Sequence, residues 1–208
     1  SWKSASKDTK KEYIKLFKRH LALNIASMMQ GYSNQNYELT NSSYDENVTQ
    51  LEHALQSAQI AKNENESDED VVAALLHDVG HLLLHESRDN PDFLEKNLNH
   101  EDVAAEWLKL FFPSRVVGPV HGHVMAKRYL CAVDETYWNG LSEASKQSLR
   151  LQGGAMSELE CSQFEKKPYF KSAIKLRKID DRAKVAGANT SPLSAYYEHV
   201  IQLYCADG

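Results

Sequence analysis

The sequence predicts an all-α protein, a bundle of helices gathered around a metal site. Three observations carry this expectation. Apolar residues recur at three- and four-residue spacing through most segments. Strand signals are nearly absent: no run alternates for long, and Asn139-Gly140, the one Asn-Gly pair, falls between predicted helices. Histidines and aspartates recur at intervals that place one on each of several helices.

A chain of 208 residues suits a single core. A net charge of −5 argues against non-specific nucleic-acid binding, although residues 1–20 are basic, with seven Lys/Arg against two acids. A small-molecule substrate is the better expectation. Cys131, Cys161 and Cys205 lack CxxC spacing and read as reduced bystanders. No apolar run approaches the roughly 18 residues of a membrane helix, so no membrane partner is expected. The expected location is cytoplasmic, as a monomer or weak homo-oligomer; the chain begins at Ser1, which is compatible with a targeting segment removed ahead of it.

Residues 8–30 place Tyr13, Leu16, Phe17, His20, Leu21 and Asn24 on one stripe, an amphipathic helix. Residues 31–46 are polar and aperiodic, a loop carrying Tyr32, Tyr37, Tyr44 and Glu46. From Asn47, a plausible N-cap, to Asn63 the stripe Val48, Leu51, Ala54, Leu55, Ala58 predicts a helix with His53 beside it. Ser67 or Asp68 caps the next helix, whose run Val71–Leu76 delivers His77 and Asp78; Gly80 is read as the residue that lets the backbone leave it. If one more turn persisted, His77 and His81 would face the same way.

A loop follows around Asp89-Asn90-Pro91. Asn99 then caps a helix that begins with His100 and has Val103, Trp107 and Leu108 on its apolar face. Pro113 and Ser114 break the chain before Arg115–Leu130, where His123 and Lys127 share a face and spacing leaves His121 a rival. Leu141–Leu151 carries Ser142, Ser145 and Ser148 at three-residue intervals and ends at Gly153-Gly154. Pro168–Lys184 sets Arg177 and Asp180 one turn apart, and Ser191 and Pro192 open a final core helix with Tyr196, Tyr197, Val200 and Tyr204.

His53, His77, Asp78, His100, His123 and Asp180 form the pattern H…HD…H…H…D. Imidazole and carboxylate donors suit iron, manganese or zinc better than magnesium or calcium. Six donors exceed what one open metal needs. If Asp78 bridges, His53, His77 and Asp180 complete one metal while His100 and His123 complete a second. Around them His81, Lys127, Ser145, Ser148 and Arg177 suit a multiply charged phosphoryl-type group.

The stretches QLEHALQSAQIA, VVAALLHDVGH, HEDVAAEWL, GHVMAKRYL, LSEASKQSLRLQGG and LRKIDDRAK, over roughly residues 44–188, are similar in order to the HD-domain mixed-valent diiron oxygenases of the 2-amino-1-hydroxyethylphosphonate dioxygenase type. The resemblance implies an HD-domain helical bundle around a dinuclear metal site, with residues 1–43 an N-terminal helix and polar loop and 44–208 the oxygenase domain. It implies that His53, His77, Asp78 and Asp180 bind one iron of an Fe(II)/Fe(III) pair, and that the bridging Asp78 with His100 and His123 binds the other. The alignment runs through His123, which leaves His121 to solvent. His81, Lys127, Ser145, Ser148 and Arg177 would hold the phosphonate; related inositol-cleaving oxygenases carry lysine at the position of His81. Tyr44 would occupy iron until substrate displaces it, and Glu46 would meet the substrate's amino group. Glu46 keeps the family's distance to His53, whereas Tyr44 stands one residue closer than the family's Y-x-x-E. The implied activity is cleavage of the C–P bond of a 1-hydroxy-2-aminoethylphosphonate, primary or N-methylated, by O2, giving a glycine- or betaine-type acid and phosphate. The alternative is a metal-dependent HD phosphohydrolase acting on a phosphate ester or nucleotide.

Overall fold

A computed structural model describes residues 48–86 and 99–204, and among these every regular element is helical. The predicted helix over 8–30 and the loop with Tyr32, Tyr37, Tyr44 and Glu46 lie outside the described residues.

Helix α1, Gln50–Asn63, starts two residues later than Asn47 suggests: Thr49 accepts from the Glu52 N–H while Glu52 reaches back to the Thr49 N–H, a reciprocal cap. Helix α2, Asp68–Leu76, is capped by Ser67, with three acids in its first turn. Its residues 71–76 are all buried, so this short helix crosses the core.

Helix α2 ends at Leu76, and His77 and Asp78 occupy the corner before α3, Val79–Glu86. The expectation for Gly80 is corrected here. Gly80 lies inside α3, and a Cβ on it would stand 1.9 Å from the His100 carbonyl oxygen. The glycine serves close helix approach, not helix exit: it seats α3 on the start of α4, His100–Leu108. Because the helix breaks at the corner, His81 does not continue the His77 face. Its ring stacks instead on His100, with centroids 4.1 Å apart.

Helix α5, Ser114–Val133, is the longest described and runs through Pro119 unbroken. Its Gly118, Gly122 and Ala126 form a shallow face against Tyr169 and Ala173; a Cβ on Gly122 would meet both at under 3 Å. That face lets α9, Phe170–Arg182, lie close along α5. Three features differ from the sequence reading. Asn139-Gly140 closes a short helix α6, Glu135–Gly140, capped by Asp134. Ser142 belongs to no hydroxyl stripe: it caps α7, Glu143–Leu151, by accepting from the Ser145 N–H. Helix α8, Glu158–Phe164, with its Ser157–Glu160 capping box, went unpredicted because it is short and mostly polar.

The C-terminal segment starts later than Ser191 suggests. Pro192 precedes a 3-10 turn, Leu193–Tyr196, which leads into α10, Tyr197–Leu203. Tyr196 and Val200 join the main core with Val71–Leu76, Leu108, Val116, Val120, Leu176 and Ile179. Helices α1, α2, α4, α5 and α9 thus share one apolar interior, and α1, α4, α5, α9 and the corner after α2 each bring a polar side chain toward the same end of it.

Candidate metal centre

His53 on α1, His77 and Asp78 at the α2–α3 corner, His123 on α5 and Asp180 on α9 are all buried, and His100 at the start of α4 is nearly so. Backbone carbonyls fix three of the four imidazoles. Nδ1 of His53 donates to Ala183 O at 2.7 Å, that of His77 to Ala74 O at 2.9 Å and that of His123 to Val120 O at 2.6 Å. A carbonyl can only accept, so the proton sits on Nδ1 and each Nε2 points inward as a lone pair. For His100, Glu101 Oε2 lies 3.3 Å from Nδ1.

The lone pairs then meet in pairs: His53 Nε2 lies 3.1 Å from His77 Nε2, and His100 Nε2 lies 3.1 Å from His123 Nε2. Two neutral acceptors at that distance repel unless something positive sits between them. A transition metal bound at about 2.1 Å to two nitrogens roughly 90–110° apart sets them about 3.0–3.4 Å from each other, which is the spacing observed. The carboxylates complete the arrangement. Asp180 Oδ1 is 3.3 Å from His53 Nε2 and its Oδ2 is 3.9 Å from His77 Nε2. Asp78 divides its oxygens: Oδ2 faces His53 and His77 at 3.7 and 3.6 Å, while Oδ1 faces His100 and His123 at 3.7 Å each. His53–His77–Asp180 and Asp78–His100–His123 are therefore two groups able to hold a metal ion each, with Asp78 set between them. The residues fit a dinuclear centre of nitrogen and oxygen donors.

Electrostatics favour the ligand forms of Asp78, Asp180, His100 and His123, whereas at His53 burial is outweighed by the Asp180 carboxylate and the imidazole is raised, so a cation entering there displaces a proton shared with Asp180. Burial raises Asp78, but the surrounding histidines outweigh it and hold the carboxyl well below the usual range. For Asp180 burial is likewise outweighed, by Arg177 and then Lys184. Burial drives His123 down to about 4 and His100 well below its ordinary value, so both imidazoles are neutral near pH 7.

Of the predicted anion-binding residues, Arg177 bonds the ligand-type Asp180, Lys127 and Ser148 bond each other, His81 stacks on His100, and Ser145 lines a separate cleft. Lys127, one turn beyond His123, is buried; its Nζ donates to Ser148 Oγ and Gln152 Oε1, both at 3.1 Å. Burial, then Arg177, lowers it to about 8. Ser145 accepts from the Ser142 hydroxyl at 3.2 Å and faces a cleft of about 420 Å3 shared with Tyr137, Asp181 and Lys184. Arg177 is already engaged: Nη1 donates to Asp180 Oδ2 at 2.7 Å, and Nε and Nη2 both donate to Asp181. His121 sits elsewhere, 3.0 Å from Asp102 and part-exposed, in a wider cleft of about 1190 Å3 that contains none of the six metal-type donors. Cleft size is a poorer guide here than converging lone pairs.

Sequence reasoning assigned no site role to Glu101, Gln152 or Asp181. Glu101 was legible as the neighbour of His100; Asp181 gave no signal beyond adjacency to Asp180; Gln152 stood in the LQGG stretch as a helix end.

Residues 50–147 match the HD domain model. Over 157 residues the chain is 48% identical to a hydroxymethylphosphonate dioxygenase of Gimesia maris, covering 76% of this chain and 78% of the relative. Over 145 residues it is 46% identical to a [1-hydroxy-2-(trimethylamino)ethyl]phosphonate dioxygenase of Leisingera caerulea, covering 70% and 74%. Identity of that order across most of both chains means a common fold and a common family: this chain belongs to the HD-domain oxygenases of the phosphonate dioxygenase type.

Proposed function

We propose that this protein uses O2 to cleave the C–P bond of a 1-hydroxyphosphonate, releasing a carboxylic acid and phosphate. The observation that carries the reading is Asp78 dividing its two oxygens between two histidine pairs, with the buried Lys127 ammonium beside them. The relatives named as phosphonate dioxygenases support the reaction class. His53, His77 and Asp180 would hold one iron and His100 and His123 the other, with Asp78 offering an oxygen to each. When bound, the Fe(II)/Fe(III) pair supplies the electron chemistry with dioxygen. In the balance of the reaction C1 gains one oxygen atom and phosphorus the other, the C–P bond and one C1–H bond are lost, and that hydrogen ends on oxygen.

The chain's own residues bind and orient. Lys127 offers its third N–H to a phosphonate oxygen, and Arg177, which bonds Tyr137 as well as Asp180 and Asp181, adds its positive charge beside it. Ser145 and Ser148 add hydroxyls. His81, kept neutral by burial, stacks on His100 and offers a neutral donor at the substrate's edge of the site. Glu46 meets the amine of an amine-bearing substrate and Tyr44 guards iron, on residues outside those described. The substrate tail is what the named relatives differ in, one carrying none and the other a trimethylammonium.

Oxygen uptake and phosphate release, measured on anaerobically iron-loaded protein with hydroxymethylphosphonate, 2-amino-1-hydroxyethylphosphonate and its trimethylated form, test the reading. At least one should be consumed, with one phosphate per O2. Glu46→Gln should raise KM for the amine-bearing substrates far more than for hydroxymethylphosphonate. Phosphate release from an ester with magnesium and without oxygen, and no uptake with any hydroxyphosphonate, would give the site to a phosphohydrolase.

A further inference from the structure

The two buried cations beside the metal centre are partnered differently. Arg177 is matched by Asp181 through two N–H groups and by Asp180 through a third. Lys127 has neutral hydrogen-bond partners, the Ser148 hydroxyl and the Gln152 amide oxygen. An ammonium only donates, so the Gln152 side chain must present Oε1 to it. A buried ammonium between two neutral acceptors keeps its full charge for a third partner, whereas a carboxylate in the place of the amide would consume it.

Gln152 is also held where it stands. Its backbone N–H caps α7 onto the Ser148 and Arg150 carbonyls, and Gly153 and Gly154, at φ 96° and 74°, turn the chain back at once. Arg128, the residue after Lys127, donates to the Gly154 carbonyl at 2.9 Å, and its own carbonyl accepts from Met156 N–H at 3.2 Å. The corner bearing Gln152 is thereby tied to the segment of α5 bearing Lys127.

We propose that Gln152 is a positioning residue and charge selector for the anion site: it aims the Lys127 ammonium at the substrate's phosphonate without neutralising it. The proposal rests on the reading that this flank binds a phosphonate, and it is tested with a probe that needs no oxygen chemistry. Inorganic phosphate binding to the metal-loaded protein is measured by calorimetry alongside KM for hydroxymethylphosphonate. Gln152→Glu, nearly isosteric, should weaken phosphate binding on the order of 10- to 100-fold, the scale of one charge-assisted hydrogen bond. Gln152→Met should weaken it about 3- to 10-fold. Both should raise KM more than they lower kcat, and bound metal should stay at the wild-type level. In a Lys127→Met background, Gln152→Met should add nothing further, which a merely structural glutamine would not produce.

Unchanged phosphate affinity in both variants overturns the proposal. So does an equal loss with and without Lys127, or a loss of metal in step with the loss of affinity. If no hydroxyphosphonate is turned over but Gln152→Glu still weakens phosphate binding through Lys127, the oxygenase reading falls and the positioning role stands.

Discussion

The two halves of the metal centre are built from similar donors and supported differently. In the half made by His53, His77 and Asp180 all three residues are buried; both imidazoles are tied to backbone carbonyls, and Asp180 is gripped by Arg177 and Lys184. In the half made by Asp78, His100 and His123, only His123 has such a carbonyl anchor. His100 opens a helix, keeps some exposure and leans on His81 and Glu101. Outer contacts of this kind set ligand orientation and metal affinity. The difference predicts that the first half holds a metal more tightly than the second, on whose His100 the His81 ring stacks.

The largest expected effect comes from the residue the halves share. Asp78→Ala removes a carboxylate whose two oxygens face different histidine pairs, so metal analysis should find both ions lost and activity abolished. His123→Ala should empty mainly the second half, leaving close to one metal per chain. His121→Ala should leave metal content unchanged, since its partner is Asp102. Loss of metal in His121→Ala with retention in His123→Ala would reverse the assignment on α5.

A finer probe separates the halves without touching a ligand. In Gly80→Ala the new methyl would stand 1.9 Å from the His100 carbonyl oxygen, and backbone cannot swing aside as a side chain can. The start of α4 must shift, carrying His100 with it. Overpacking of this kind typically costs about 1–3 kcal/mol. Thermal unfolding should report that loss, and the second metal should be depleted while the first is retained. Equal depletion of both would mean the halves are not mechanically separate.

Much of this comparison was legible in the sequence because it depends on residue type and helical period. The six donors, the stripes of α1 and α4, and the run through α2 are local facts of spacing. What escaped depends on tertiary contact. Gly80 reads as a helix stop until α4 is seen resting on it; Ser142 reads as one of three hydroxyls until it caps α7. Helix α5 ends at Val133, three residues past the Arg115–Leu130 segment, and carries Pro119 within it. The unequal support of the two halves was invisible, since Ala74, Val120 and Ala183 anchor histidines through carbonyls that every residue possesses.

The smallest predicted effect concerns the flank on which the substrate rests. Lys127 is lowered to about 8 by burial and then by Arg177, so in the free enzyme its ammonium is largely present at pH 7 and mostly lost by pH 9. Loss of that charge as pH rises weakens binding of an anion. KM for hydroxymethylphosphonate should therefore climb about tenfold between those pH values, the ratio a single group of that pKa gives. Bound phosphonate favours the charged form and lifts the pKa in the complex, so kcat should change much less. Lys127→Arg supplies the control, because a guanidinium stays charged across the whole range. Its KM, whatever its absolute value, should be nearly flat from pH 7 to 9, and persistence of the wild-type climb in that variant would move the titration from Lys127 to a metal-bound water. A flat wild-type profile would place the phosphonate's charge against Arg177 and the metals alone, and the contrast between the matched and unmatched cations would then have no role in binding.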